Sequence, residues 1–97
     1  LYVGRMMAQK GARAVVEDAP KIWERFPETR FVFIGPGNDE EVAIFSGRDP
    51  RLAYLGKVSA QEKADALDAC DVFCMPSTSE ILPTVYLEAW SLGKPVV

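Results

Sequence analysis

Two glutamates with seven residues between them, Glu80 and Glu88, are the first places in this chain where side-chain chemistry is concentrated. They follow one apolar run, Asp71-Val-Phe-Cys-Met75, and precede another, Pro95-Val-Val97. If those runs are parallel strands, Glu80 falls in a loop at a strand's carboxyl end and Glu88 on the next helix. Open α/β sheets bind ligands at that edge. Two carboxylates about 5 to 9.5 Å apart can serve as the acid and base of a glycoside hydrolase. A Glu88 in the second turn of a helix does not favour that geometry, and a glutamate near a helix start is often only a dipole-stabilising surface charge.

A second set is Gly4-Arg5 with Lys10-Gly11, at a strand-to-helix turn. The glycines let backbone come close to a ligand, and the opening turn of a helix offers unpaired N–H groups at a positive dipole end. Arg5 supplies a bidentate fork for phosphate oxygens and Lys10 a point charge, a combination suited to a diphosphate. The same side chains are equally readable as solvated surface cations, because strand–Gly–helix turns are common in α/β folds. A Walker A loop is excluded, since it ends in Gly-Lys-Ser/Thr. Gly35-Pro-Gly37 invites a dinucleotide fingerprint, but Glu40 stands where the third glycine belongs, so a plain loop is preferred.

The elements that must hold these residues alternate. Leu1-Tyr-Val3, Arg30 to Ile34, Arg51 to Leu55 and Asp71 to Met75 read as strands rich in β-branched and aromatic residues. Val15, Ala19, Ile22, Trp23 and Phe26 mark one face of a helix. An interior proline costs about 3 kcal/mol, so Pro20 is expected to kink or divide that helix near Ala19, and Pro27 to end it. Glu40 to Phe45 is a short helix candidate. Ser59 and Glu62 form a capping-box pattern for a helix over Ala60 to Ala69. A last helix opens at Pro83 or Thr84 and runs to about Leu92, with Gly93 in the C′ position. The strands are continuous apolar runs rather than alternating ones, which predicts a parallel sheet covered on both faces. The class is α/β, a doubly wound parallel sheet.

Composition excludes several functions. The 97 residues allow at most one small domain, with both ends expected to be cut from a larger protein. A net charge of −3 and a pI near 4.9 disfavour a nucleic-acid partner. No apolar run approaches the roughly 20 residues of a membrane span. There is no histidine, and Cys70 and Cys74 are the only cysteines, so zinc sites and Ser-His-Asp or Cys-His arrangements lack their residues. The two cysteines read as buried, reduced thiols.

Taken together, these residues resemble one family along the whole chain. The match runs through Tyr2-Val-Gly-Arg5 with Lys10-Gly11, Ala19-Pro20 before Phe26-Pro27, Phe31-Val-Phe-Ile-Gly-Pro-Gly37 and Tyr54-Leu-Gly-Lys-Val58. It continues through Ala69-Cys-Asp-Val-Phe73, Met75-Pro-Ser77, Glu80 through Glu88-Ala, and Gly93-Lys-Pro-Val-Val97. The chain is similar to part of the C-terminal, nucleotide-binding domain of family-4 (group 1) retaining glycosyltransferases, the Rossmann-like half of a GT-B fold. The resemblance implies a nucleotide-diphosphate sugar as donor, no cofactor and no metal. Arg5 and Lys10, with Gly4 beside them, would grip the diphosphate and stabilise the charge of its departure. Glu88, second glutamate of the family's E-x7-E motif, would hold ribose hydroxyls, and Glu80, the first, would face the donor sugar. The loop Ile81-Leu82-Pro83-Thr84 would present its backbone N–H groups, those of residues other than Pro83, and the Thr84 hydroxyl to sugar and phosphate. Val58 would border the base. Ile81-Leu82 stands where many members have Gly-Phe, which puts donor choice in question.

The acceptor, a lipid, polysaccharide or small molecule, would bind the N-terminal half, through which members also contact membranes peripherally. The resemblance therefore implies a cytoplasmic location, extending to the inner face of the membrane, and an inactive isolated fragment. The competing readings are a catalytically inactive GT-B-like binding or assembly domain and a GT-B-fold sugar-nucleotide epimerase. A phosphorylase would need a pyridoxal-phosphate lysine that the chain does not show.

Overall fold

The computed structural model describes residues 1–47, 49–77 and 84–97. Among these, strands β1 (Tyr2–Val3), β2 (Phe31–Ile34) and β3 (Leu52–Gly56) form a parallel sheet in the order β1-β2-β3. Tyr2 pairs with Phe33, and Phe33 with Tyr54; the register then skips Leu55, so that Ile34 faces Gly56. The Asp71–Met75 and Pro95–Val97 runs join as extended backbone held by a parallel bridge, Phe73 to Val96, rather than as full strands. Cys74 N–H donates to the Leu1 carbonyl at 2.8 Å, and Met75 N–H to the Val97 carbonyl at 3.1 Å. The rails thus run β3, β2, β1, 72–75, 95–97.

This order decides the layering. From β1 the chain steps outward to β2 and β3, then returns across β1 to continue on the other side. Parallel crossovers are right-handed, so reversing the direction of travel moves the connecting helices to the opposite face. Helices α1 (Ala12–Arg25) and α2 (Asp39–Val42) take one face, and α3 (Ala60–Ala69) and α4 (Thr84–Ser91) the other. The sheet is doubly wound. Its core joins Tyr2, Phe33, Ile34, Phe73 and Met75 from the rails with Val15 and Val16 of α1, Leu67 of α3 and Ala89 of α4.

Four expectations are corrected or refined. Pro20 does not divide α1, which runs unbroken to Arg25. Its ring lies on the solvent side, while Ala12, Val15, Val16 and Ala19 are buried. Packing of the buried face against the sheet outweighs the local penalty. The Glu40–Phe45 candidate is two short turns, α2 and a 3₁₀ turn over Ala43–Phe45, begun by a second capping box between Asn38 and Glu41. β3 is only half covered, with Leu55 at 55% exposure, because it is the outer rail of the three. Cys70 and Cys74 are free but half-buried; burial pushes the Cys74 thiol pKa up, which leaves it protonated and unreactive.

Other local signals hold. Ser59 Oγ accepts from Glu62 N–H at 3.1 Å, and the Glu62 carboxylate reaches back to Ser59 N–H at 3.3 Å. Gly93 N–H bonds the Trp90 carbonyl and Lys94 N–H the Ala89 carbonyl, the paired bonds of a Schellman cap closing α4.

Candidate functional site

The crevice that such a strand order creates lies where the direction reverses, between the carboxyl ends of β1 and the 72–75 rail. The loop after β1 carries Gly4, Arg5, Lys10 and Gly11. It is pinned from two sides. Gly4 N–H donates to the Ile34 carbonyl and Met6 N–H to the Pro36 carbonyl, both at 2.9 Å. Ser77 Oγ donates to the Gln9 carbonyl at 3.1 Å, drawing in the loop that leaves the 72–75 rail. Gly11, at φ 94°, opens α1 against that same loop. A Cβ there would lie 2.5 Å from the Pro76 carbonyl oxygen, so a side chain would force the two loops apart.

Hydroxyls lock the ends of three rails from beneath. Tyr2 Oη donates to the Arg5 carbonyl at 2.6 Å, Tyr54 Oη to the Gly35 carbonyl at 2.8 Å, and Tyr86 Oη to the Met75 carbonyl. These are all the tyrosines of the chain. Burial, with smaller contributions from Tyr86 and Glu41, raises the Tyr2 phenol pKa far above its ordinary value, so it stays a donor at every working pH. Sequence reasoning did not single these hydroxyls out; their positions read simply as apolar packing. Tyr86→Phe is expected to cost about 1–2 kcal/mol in urea unfolding, because the Met75 carbonyl loses its donor while the ring packing on Phe73 survives. A loss below 0.5 kcal/mol would mean that water replaces the hydroxyl.

The sequence-predicted residues fall as follows. Arg5 is exposed at the loop's crest, with Gly4 and Lys10 half-buried beside it. Thr84 is exposed and is the first residue of α4. Glu88 lies one turn further along, half-buried, with Oε2 3.3 Å from Lys63 Nζ of α3. Val58 sits in the turn before α3, half-buried against the core. Glu80, Leu82 and Pro83 lie outside the described residues, as does Ile81. The structure therefore joins the loop after β1 to Pro76-Ser77, and joins α3 to α4 through Lys63 and Glu88. Nothing in the sequence pairs Lys63 with Glu88, because the contact depends on α3 and α4 sharing a face.

Chemically, the crevice sets a guanidinium and an ammonium on one glycine-rich turn between carboxyl ends of neighbouring rails. That arrangement can neutralise a diphosphate. The sequence model of the family described as glycosyl transferases group 1 matches residues 1–97, the whole chain. The chain belongs to the group 1 glycosyltransferases. Among curated group 1 relatives, a phosphatidyl-myo-inositol mannosyltransferase of Mycobacterium tuberculosis is 35% identical over the full chain, which spans 26% of that protein. The sulfoquinovosyl transferase SQD2 of Arabidopsis thaliana is 36% identical, again over the full chain, which spans 18% of its length. In fold, the chain superposes on AviGT4, a glycosyltransferase involved in avilamycin A biosynthesis, with a TM-score of 0.72. That match covers 98% of this chain and 31% of AviGT4 at 23% identity. The α/β arrangement is that of GT-B glycosyltransferases.

Proposed function

We propose that this chain is the donor-binding segment of a glycosyltransferase that transfers a sugar from a nucleoside diphosphate to an acceptor, with retention at the anomeric carbon and without a metal. The observation that carries the reading is the pinned turn after β1, which presents Arg5 at the reversal point of the sheet, in a chain matched by the group 1 family throughout. In the reaction the bond from the anomeric carbon to the terminal phosphate oxygen breaks, and its electron pair leaves on the diphosphate. A bond from the acceptor hydroxyl oxygen replaces it, and the proton of that hydroxyl passes to the departing diphosphate. Arg5 and Lys10 meet the charge gathering on the leaving group, the role a divalent cation fills elsewhere.

In this reading Glu88 accepts from the ribose hydroxyls, and Glu80 faces the donor sugar. Thr84, at the start of α4, adds its hydroxyl near the helix's positive end, and Leu82 and Pro83 lead the backbone into it. Val58 borders the base. The acceptor, a lipid, polysaccharide or small molecule, belongs to the other half of the enzyme, working at or near the cytoplasmic face of the membrane. The two named relatives transfer different sugars by their names, so the donor is left to experiment.

The test is a calorimetric titration of UDP, GDP and ADP into the full-length protein, with Glu88→Gln alongside. One nucleotide is expected to bind, and Glu88→Gln to weaken it about tenfold, the worth of a hydrogen bond to a charged acceptor. Absence of binding by all three would move the inactive binding-domain reading to the front. Binding that Glu88→Gln leaves unchanged would remove Glu88 from the site.

A further inference from the structure

Lys63 of α3 and Glu88 of α4 form an ion pair. We propose that Lys63 is a positioning residue that holds Glu88 ready for the ribose diol of the donor nucleotide, an inference that rests on the reading of Glu88 given above.

Lys63 Nζ stands 3.3 Å from Glu88 Oε2, with the two side chains 36% and 38% exposed, accessible yet partly sheltered between the helices. An ionised carboxylate has about four acceptor sites on its two oxygens. An ammonium on Oε2 leaves Oε1 and the remaining sites for two hydroxyl donors. The carboxylate is thereby held in one rotamer before any ligand arrives, which lowers the ordering cost of binding.

Lys63 is itself held at the start of α3. Its N–H bonds the Ser59 carbonyl at 3.0 Å in the first turn of α3, a turn whose start is clamped by the Ser59–Glu62 capping box. Lys63 is therefore tied to the segment directly after Val58. The Lys63–Glu88 contact thus links the turn that borders the base to the carboxylate that takes the ribose. A loosened pair would cost recognition of the sugar hydroxyls and leave contacts to the diphosphate intact.

The experiment compares two ligands on the full-length protein by calorimetry: whichever of UDP, GDP and ADP the wild type binds most tightly, and its 2′,3′-dideoxy counterpart. Pairs of this exposure are worth up to roughly a fivefold change in a binding constant. Lys63→Met is expected to weaken the ribonucleotide about three- to fivefold, to leave the dideoxy nucleotide unchanged, and to be largely rescued in Lys63→Arg. Equal weakening of both ligands, as a merely structural pair would give, overturns the proposal, and so does no weakening of either. Glu88→Gln separates the two levels. If it abolishes the preference for the ribonucleotide while Lys63→Met retains it, only the assignment of Lys63 falls. If the preference survives Glu88→Gln, the reading of Glu88 falls and the role of Lys63 with it.

Discussion

Gly35→Ala is expected to destabilise the protein by about 3 kcal/mol or more and to abolish nucleotide binding, although the change adds one methyl group. Gly35 ends β2 at φ 144°, in a region that L side chains rarely adopt. A Cβ there would stand 1.9 Å from the Gly4 carbonyl oxygen and 2.6 Å from its carbon, far inside contact distance. The obstacle is backbone, so no rotamer change relieves it. Moving Gly4 away would break its 2.9 Å bond to the Ile34 carbonyl. Moving Gly35 would strain its own 2.9 Å bond to the Gly56 carbonyl and its acceptance from Tyr54 Oη. The damage would therefore reach the loop that carries Arg5. Gly47→Ala is the control: φ is 66°, but nothing lies within 4 Å of the added carbon, so only a left-handed backbone cost of about 1–2 kcal/mol applies. Urea unfolding of both variants checks this. A Gly35→Ala protein as stable as Gly47→Ala would show that the β1–β2 approach is looser than the structure has it.

The second large effect is on rate. Arg5→Ala is expected to lower kcat about 100- to 1000-fold in the full-length enzyme, the loss typical of removing one fixed donor from a developing anion. The fold should hardly notice. Arg5 is exposed, and the contact that shapes its turn uses its backbone carbonyl, which accepts from Tyr2 Oη whatever the side chain is. Stability is accordingly expected within about 0.5 kcal/mol of wild type. Arg5→Lys restores the charge without the bidentate fork and is expected to recover only part of the rate. Steady-state kinetics with the donor identified by titration supplies the measurement. An unchanged kcat would take Arg5 out of the transition state and leave Lys10 to meet the leaving charge.

Much of this architecture was legible in short windows of sequence. The Ser59-x-x-Glu62 box fixes the start of α3, and Gly93 sits where α4 closes. Apolar runs marked each rail, and the ordered motifs from Tyr2-Val-Gly-Arg5 to Gly93-Lys-Pro-Val-Val97 pointed to the group 1 family that matches the whole chain. Asn38-x-x-Glu41 carries the same capping-box pattern, although the glycines before it favour a loop. Such signals are local: the groups that interact lie within about one turn of each other, so residue type and spacing suffice. Pro20 shows where that reasoning stops. Its cost is local, but the burial of Val15, Val16 and Ala19 that outweighs it comes from the sheet beneath α1. The same holds for the approach of Gly35 to Gly4, the tyrosine hydroxyls under three rail ends, and the pairing of Lys63 with Glu88. Each joins segments, or turns a side chain, in a way set by the rail order and by which face each crossover takes. The sequence by itself determined the elements, the family and the residue types available for chemistry. Only the tertiary structure decided which of them meet, because a parallel sheet brings together residues whose separation along the chain carries no mark of their contact.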